Sequence, residues 1–550
     1  MRDGVREAVT EVLSRVEIVP VEISDREFPD EYWVLVHVAP SQVAVGQSSV
    51  GLIEVAVREA GVNAADLVVV VRPARTVEQP PASAVSQGRL YRSEIDQLIQ
   101  LLEARSRTSD ALPSLRYVED PRASLSTVAA SRHQFVFGRR GVGKTALLLE
   151  AKRIAEQAGY VAVWFNAQVF RRTTPEMAFL SIAEQICGDI GRSLGNSTSD
   201  VSSALRALRD RVSRMRADGQ ADSNTVGAVV PDINAALRDV LKADLLRLYV
   251  YIDDFYLLDM STQPAVLDYL HSALRDCDGW IKVASIERLT RAFDSGTRVG
   301  LEAPHDATTI NLDVTLEDPQ AAQRFLERVL SDYTLAAGIA SPRRIAKPEA
   351  LARLVLASGG VPRDYLNLLA SSIVVARKAR ALAREVGRED VAQAAGQAAR
   401  TKRNDLEQDV GDDSAQKLLA NLDGLSTIVQ GEGFTYFRVR VDVASGGAYE
   451  HLERLVDLRF CHLVSTSLSD QHRPGVRYEA YMLDLSEFAD IRLKRGLNVL
   501  DLHDGLWTWR LTGEKGRVEP LTGTKFRDRL RRGPVIDATG PDLVLARSTA

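Results

Sequence analysis

The stretch His133-Gln-Phe-Val-Phe-Gly-Arg-Arg-Gly-Val-Gly-Lys-Thr-Ala-Leu-Leu-Leu-Glu150 limits what this chain can fold into more than any other. A short apolar run, Phe135 to Phe137, turns through Gly138, Arg139, Arg140, Gly141, Val142 and Gly143 into Lys144, Thr145 and a series of good helix formers. Strand, glycine loop and helix in that order are what a phosphate-binding loop of the Walker A kind requires. Glycines let backbone N–H groups converge on phosphate oxygens, and the helix N-terminus adds positive potential. Lys144 reaches the terminal phosphates, and Thr145 offers a hydroxyl to Mg²⁺. The bland alternative is a glycine-rich turn that binds nothing, and the strand before and helix after weigh against it.

A second landmark follows about a hundred residues on, in Leu246-Arg-Leu-Tyr-Val-Tyr-Ile-Asp-Asp-Phe-Tyr-Leu-Leu-Asp259. An apolar strand ends in two acids, and a carboxylate at the carboxyl end of a parallel strand faces the crevice where ligands bind. That is the Walker B pattern. Asp253 is expected to hold Mg²⁺, directly or through water, and Asp254 to orient the water that attacks the terminal phosphate. Asp259 is read as closing the local turn. A strand over Trp280-Ile-Lys-Val-Ala-Ser-Ile-Glu287 ends with Ser285 within reach of the same phosphate. Arg288 and Arg291 come next, either as stabilisers of transferred charge or as solvated surface residues. In Ser358-Gly-Gly-Val-Pro-Arg-Asp-Tyr-Leu-Asn-Leu-Leu369 a helix ends on Gly359-Gly360 and Pro362 opens another, so Arg363 sits at a helix start.

Together these motifs resemble an AAA+ or STAND-type P-loop ATPase, nearest in style to the origin-recognition initiator branch. The resemblance spans about residues 112 to 397. It implies a five-stranded parallel sheet with a helical lid, ATP as the nucleotide, Ser285 as the first sensor and Arg363 as the second. Asp254 stands where such ATPases usually carry Glu, as STAND proteins often do. A carboxylate one methylene shorter places the water differently and implies slow, switch-like hydrolysis.

Composition narrows the remaining choices. With 550 residues the chain is long enough for three or four domains, and its 45% hydrophobic and 26% charged content is that of an ordinary globular protein. A net charge of −5 excludes a bulk basic footprint, so any nucleic-acid contact must come from a local patch. Cys187, Cys277 and Cys461 are too far apart for metal-ligand spacing, and the N-terminus lacks the apolar core of a signal peptide. No apolar run approaches a membrane span. A reduced, cytoplasmic protein is expected.

The fold class expected is α/β, a P-loop core with additions at both ends. Residues 1–78 read as a small α+β domain: helix from Val5, strand Glu31 to Val38, helix Ser48 to Ala60 and strand Asp66 to Arg72. Residues 79–111 read as a linker and helix, 112–316 as the ATPase core, 317–397 as the lid and 398–413 as a charged linker. Within the core, the arginine-bearing stretch from Ser197 to about Ala228 reads as a solvated helical excursion. Residues 414–492 look like a winged helix, the fold that initiator-type ATPases carry after their lid, and its wing tip would offer His472, Arg473 and Arg477 to a phosphate backbone. The helix before the wing, from Tyr449, is too acidic for a dedicated groove reader. Residues 493–550 read as a small β element, the basic cluster Lys525 to Arg532 and a loose final dozen residues.

The expected function is an ATPase using ATP and Mg²⁺, in which nucleotide state sets the lid and the winged-helix domain. Double-stranded DNA is the expected partner of the C-terminal domain, and a protein partner or self-assembly that of the N-terminal domain. The alternative is a STAND-like signalling or defence switch assembled with protein partners.

Overall fold

The computed structural model describes residues 4–27, 31–39, 42–62, 66–73, 88–106, 117–194, 200–219, 221–409, 413–441, 447–471, 473–488, 495–512, 521 and 523–546. The linker expected before Gly88 and the wing residue His472 lie outside them. Two compact units divide the chain, residues 1–86 and 87–550.

The first unit runs α1 (Val5–Ser14), β1 (Glu22–Glu27), β2 (Glu31–Val38), α2 (Val43–Ser48), α3 (Val50–Glu59) and β3 (Asp66–Pro73). Its sheet is ordered β1-β2-β3, with β1 antiparallel and β3 parallel to β2. Tyr32, Val34, Val36 and Val38 alternate along β2 with less buried residues, and they pack with Leu67, Val69 and Val71 against Val5, Val9, Ile53 and Val57 of the helices. The sequence reading missed β1. Its Glu-Ile-Ser-Asp-Arg-Glu carries one buried apolar residue, Ile23, so pairing with β2 and not local propensity makes it a strand.

The second unit opens with α4 (Ser93–Ser106) and α5 (Ser124–Val128). A wound α/β layer follows: β4 (His133–Phe137), α6 (Lys144–Gln157), β5 (Val161–Asn166), α7 (Pro175–Ser193), α8 (Asp200–Asp218), α9 (Ser223–Ala243), β6 (Leu248–Asp253), α10 (Gln263–Leu274) and β7 (Gly279–Ser285). A two-stranded excursion, β8 (Phe293–Asp294) and β9 (Val299–Gly300), leads to β10 (Ala307–Asn311). The five strands are all parallel, in the order β10-β4-β7-β6-β5. Both faces are covered, which is why β4 and β6 read as unbroken apolar runs. Phe135, Phe137, Val250 and Ile252 meet the α7–α10 side, while Val136, Tyr249 and Tyr251 meet α5 and α6. The expected excursion is two helices, α8 and α9, joined where Asp222 caps α9 through a reciprocal bond with Thr225.

Beyond the sheet lie α11 (Pro319–Ala336), α12 (Pro348–Ser358), α13 (Pro362–Ala379) and α14 (Arg388–Asp409). The charged linker expected at 398–413 is corrected here, since α14 continues through Asp409. Ala395 and Ala399 are buried, and Arg403 is held by Asp423 at 2.9 Å and Glu487 at 3.1 Å, so the charges are matched across elements.

The C-terminal part runs α15 (Asp413–Gly431), β11 (Tyr436–Arg440), α16 (Gly447–Asp457), β12 (Cys461–Ser469), β13 (Arg477–Leu483), α17 (Leu485–Phe488), β14 (Asn498–His503), β15 (Leu506–Leu511), α18 (Gly523–Leu530), β16 (Val535–Asp537) and β17 (Val544–Leu545). Its sheet is ordered β12-β13-β11-β16-β17, with β13 antiparallel to both β11 and β12, and β14-β15 form a separate hairpin. The loose tail is corrected too: β17 pairs with β16, and the Leu543 N–H donates to Asn421 Oδ1 at 2.8 Å.

Candidate functional site

At the carboxyl ends of β4, β6 and β7 the sheet brings the sequence landmarks into one crevice, at the point where the chain leaves β4 for the far edge strand β5. The loop after β4 turns through Gly138, Gly141 and Gly143. Gly141 has φ +82°, and a Cβ there would lie 2.8 Å from the Arg363 Cβ, so both conformation and space require glycine. Gly143, at φ +107°, precedes the first residue of α6 and has open space on its Cβ side.

Lys144 is buried at the start of α6, and its Nζ donates to the carbonyls of Gly138 at 2.7 Å and Arg139 at 3.1 Å. Burial pulls its ammonium down to about 8, against the nearby carboxylates of Asp253 and Asp254. Thr145 Oγ1 donates to Asp253 Oδ2 at 2.7 Å. Burial and the neighbouring Asp254 push the Asp253 carboxyl up to about 6. A half-buried hydroxyl in contact with a buried carboxylate is a hard-oxygen donor set that fits Mg²⁺. Asp254 adopts the left-handed conformation, φ 52° and ψ 35°, which Asp tolerates better than most residues. Its N–H donates to Asp253 Oδ1 at 3.0 Å.

Ser285 is buried at the end of β7, its Oγ 2.5 Å from Thr290 Oγ1. Arg363 lies in the first turn of α13, and its N–H donates to the Gly141 carbonyl at 3.3 Å, so lid and loop touch directly. The two loop arginines face other tasks. Arg139 binds Asp313 Oδ1 through its backbone N at 2.9 Å and its Nε at 3.1 Å, and reaches the Gly359 carbonyl at 3.2 Å. Arg140 lies over the Tyr256 ring, 5.3 Å from its centroid. Arg140 can still offer its backbone N–H to a phosphate, whereas that of Arg139 is already given to Asp313. Of the other two arginines, Arg288 pairs with Asp457 of α16, and Arg291 with Asp294 at 2.9 Å.

Sequence reasoning missed Arg459. In the turn between α16 and β12, with φ 65°, it pairs with Asp364 beside Arg363 and donates from Nη2 to the Arg140 carbonyl at 2.9 Å. Burial raises the Asp364 carboxyl, with Arg459 the main opposing charge. One side chain therefore joins the phosphate loop, the lid helix and the C-terminal part. No local pattern announces it, because its partners lie 95 and 319 residues away.

A glycine loop between β4 and α6, a buried lysine, and Thr145 of α6 bonded to Asp253 at the end of β6 define a P-loop nucleotide-binding domain. Residues 122–281 match the family model of the AAA ATPase domain, and the chain carries an AAA ATPase domain there. The chain is also similar to solved structures. They include the Orc1 protein of Aeropyrum pernix in complex with DNA, at 15% identity over 70% of this chain and 93% of that one, with a TM-score of 0.35. The Holliday junction branch migration motor RuvB of Thermotoga maritima aligns at 14% identity over 57% and 74%, with a TM-score of 0.28. Domain III of the replication initiation protein DnaA of the same organism aligns at 12% identity over 52% and 97%, with a TM-score of 0.29. Likenesses of this strength carry no inference about activity. No curated protein sequence matches the chain.

Proposed function

We propose that the chain is a Mg²⁺-dependent ATPase in which the bound nucleotide sets the position of the lid and the C-terminal part, and that it acts on double-stranded DNA. The observation that carries this reading is Arg459, which touches the carbonyl of loop residue Arg140 and the lid residue Asp364 at once. A phosphate settling into the loop draws on the same backbone, so loop, lid and C-terminal part respond together.

In this reading each site residue has a role. N–H groups of Gly138 to Gly143, Arg139 excepted, and the start of α6 bind phosphate oxygens, and Lys144 exchanges its two carbonyl acceptors for the terminal phosphates. Thr145 and Asp253 hold Mg²⁺, which neutralises charge on the phosphates when bound. Asp254 orients the attacking water, Ser285 positions it or the γ-phosphate, and Arg363 closes over that phosphate from the lid. The sheet β11-β13-β12 with α15 and α16 serves as a winged-helix-like domain, and residues 1–78 as a module for a protein partner or self-assembly. A cytoplasmic location agrees with the described cysteines being free, and no described helix is long and apolar enough to cross a membrane.

A second reading, a protein-partnered switch, is favoured by Asp254. Its shorter carboxylate suits slow turnover.

Turnover of ATP by the full chain, with and without a duplex of about 30 base pairs, tests both. Lys144→Ala and Asp254→Asn are expected to cut turnover at least about 100-fold. Duplex-stimulated turnover in the wild type supports action on DNA. Turnover indifferent to duplex favours the switch, and no turnover despite ATP binding removes the enzyme.

A further inference from the structure

Residues 525–532 read Lys-Phe-Arg-Asp-Arg-Leu-Arg-Arg, five cations and one acid in a chain of net charge −5. In α18, Phe526 and Leu530 are buried one helical turn apart, which leaves Lys525 and Arg527 exposed and Arg529 half-buried, with Arg532 exposed just beyond. Arg531 crosses to the hairpin of β12 and β13. Its Nε donates to the Ser469 carbonyl at 3.1 Å and its Nη2 to Ser469 Oγ at 3.2 Å, while Gln471 Nε2 donates to Asp528 Oδ1 at 3.2 Å. Two basic segments some fifty residues apart thereby share one face. Arg477, Arg529 and Arg532 have no acidic partner among the described residues. The acids of this face are already engaged, Asp528 by Arg531 at 2.7 Å and Asp470 by the Tyr478 hydroxyl at 3.2 Å.

We propose that α18 and the β12–β13 hairpin form one site for the phosphate backbone of double-stranded DNA, binding without reading sequence. This rests on the DNA-directed reading above. Like charges gathered without partners are held apart only by water and counterions, and a polyanion that releases those counterions binds favourably. Duplex is favoured over single strand because the nearby aromatic rings of Tyr436, Tyr478, Trp509 and Phe526 are all buried, which leaves no stacking platform among them. Sequence readout is disfavoured because α16, the helix before the hairpin, exposes Glu450 and is tied at its end to the ATPase core by the Asp457–Arg288 pair. Arg527 links the face to the start of the lid, through Glu317 at 2.8 Å just before α11.

The test is fluorescence anisotropy of the full chain on two labelled 30-base-pair duplexes of unrelated sequence, and on one single strand, across a salt series. The wild type is expected to bind both duplexes equally within about threefold and the single strand more weakly. Replacing Arg477, Arg529 and Arg532 together by Ala is expected to weaken duplex binding at least about tenfold near 0.1 M salt. The slope of log K against log salt should become shallower by about two to three. The exposed single change Arg532→Glu is expected to weaken binding severalfold and to leave ATP affinity unaltered, which separates a lost contact from a lost fold. A wild type that binds duplex while these variants bind it as well overturns the site and leaves the DNA reading standing. A wild type that binds no DNA overturns both, and equal affinity for single strand overturns the duplex assignment.

Discussion

The phosphate loop and the basic face of α18 both concentrate charge, and they do so in opposite ways. Around the loop, Lys144, Asp253 and Asp364 are buried, each is bonded to a named partner, and their protonation equilibria are displaced by the loss of water. On the α18 face, Arg477 and Arg532 stay exposed and keep their hydration. Buried charge makes short-range chemistry that depends on pH and barely on salt. Solvated charge makes long-range attraction that depends on salt and barely on pH. The two halves of the proposed function are therefore separable by experiment.

The largest expected effect breaks the packed side of that contrast. Gly359, at φ +55°, has no room for a side chain, because a Cβ would sit 2.2 Å from Nδ1 of His462. That ring is buried and fixed by Asp484 at 2.8 Å. Gly359→Ala is expected to cost about 3 kcal/mol, read as a lowered thermal midpoint.

Asp253→Asn sharpens the contrast through pH. The folded carboxyl titrates near 6 against an unfolded value of 3.8, so the native state holds the extra proton between those values. Its stabilising effect is present at low pH and lost as pH rises through 6. Above that, the asparagine variant without nucleotide is expected to be more stable than the wild type by about 2–3 kcal/mol. The gain should shrink to about 1 kcal/mol at pH 4.5 and vanish only well below pH 3.8, while Mg–ATP binding is lost at every pH. Thermal unfolding at pH 4.5 and 8, with and without Mg–ATP, checks both signs.

Arg459→Ala removes the contact joining loop and C-terminal part. Release of a fluorescent ATP analogue is expected to quicken about tenfold, a coupling of about 1.4 kcal/mol, measured by stopped flow. Unchanged release would mean that the contact is structural only. Smallest of all, Arg532→Ala is expected to change thermal stability by less than about 0.5 kcal/mol.

Local physics made the nucleotide half legible. The β4 strand, glycine loop and α6 start are consecutive, so periodicity and glycine spacing displayed them together, and Ile252-Asp253-Asp254 needed only one buried strand. Arg363 was legible because Gly359, Gly360 and Pro362 mark one helix end and the next helix start. What stayed hidden was non-local. β1 is a strand because β2 is beside it, α14 absorbs a charged stretch because Asp423 and Glu487 wait for Arg403, and Arg459 has no pattern of its own. The basic cluster after Lys525 was visible, but its union with the β12–β13 hairpin depends on Arg531 meeting Ser469 across 62 residues.

The 319 residues between Arg140 and Arg459 also have a meaning for biosynthesis. At roughly 5–20 residues per second, a ribosome needs on the order of 15–60 s to travel from one to the other. Once Asp253 has been made, the nascent chain has its phosphate loop and Walker B strand but not yet the arginine that later closes on them. A nucleotide bound in that interval would meet an unclasped loop, onto which the C-terminal part then folds.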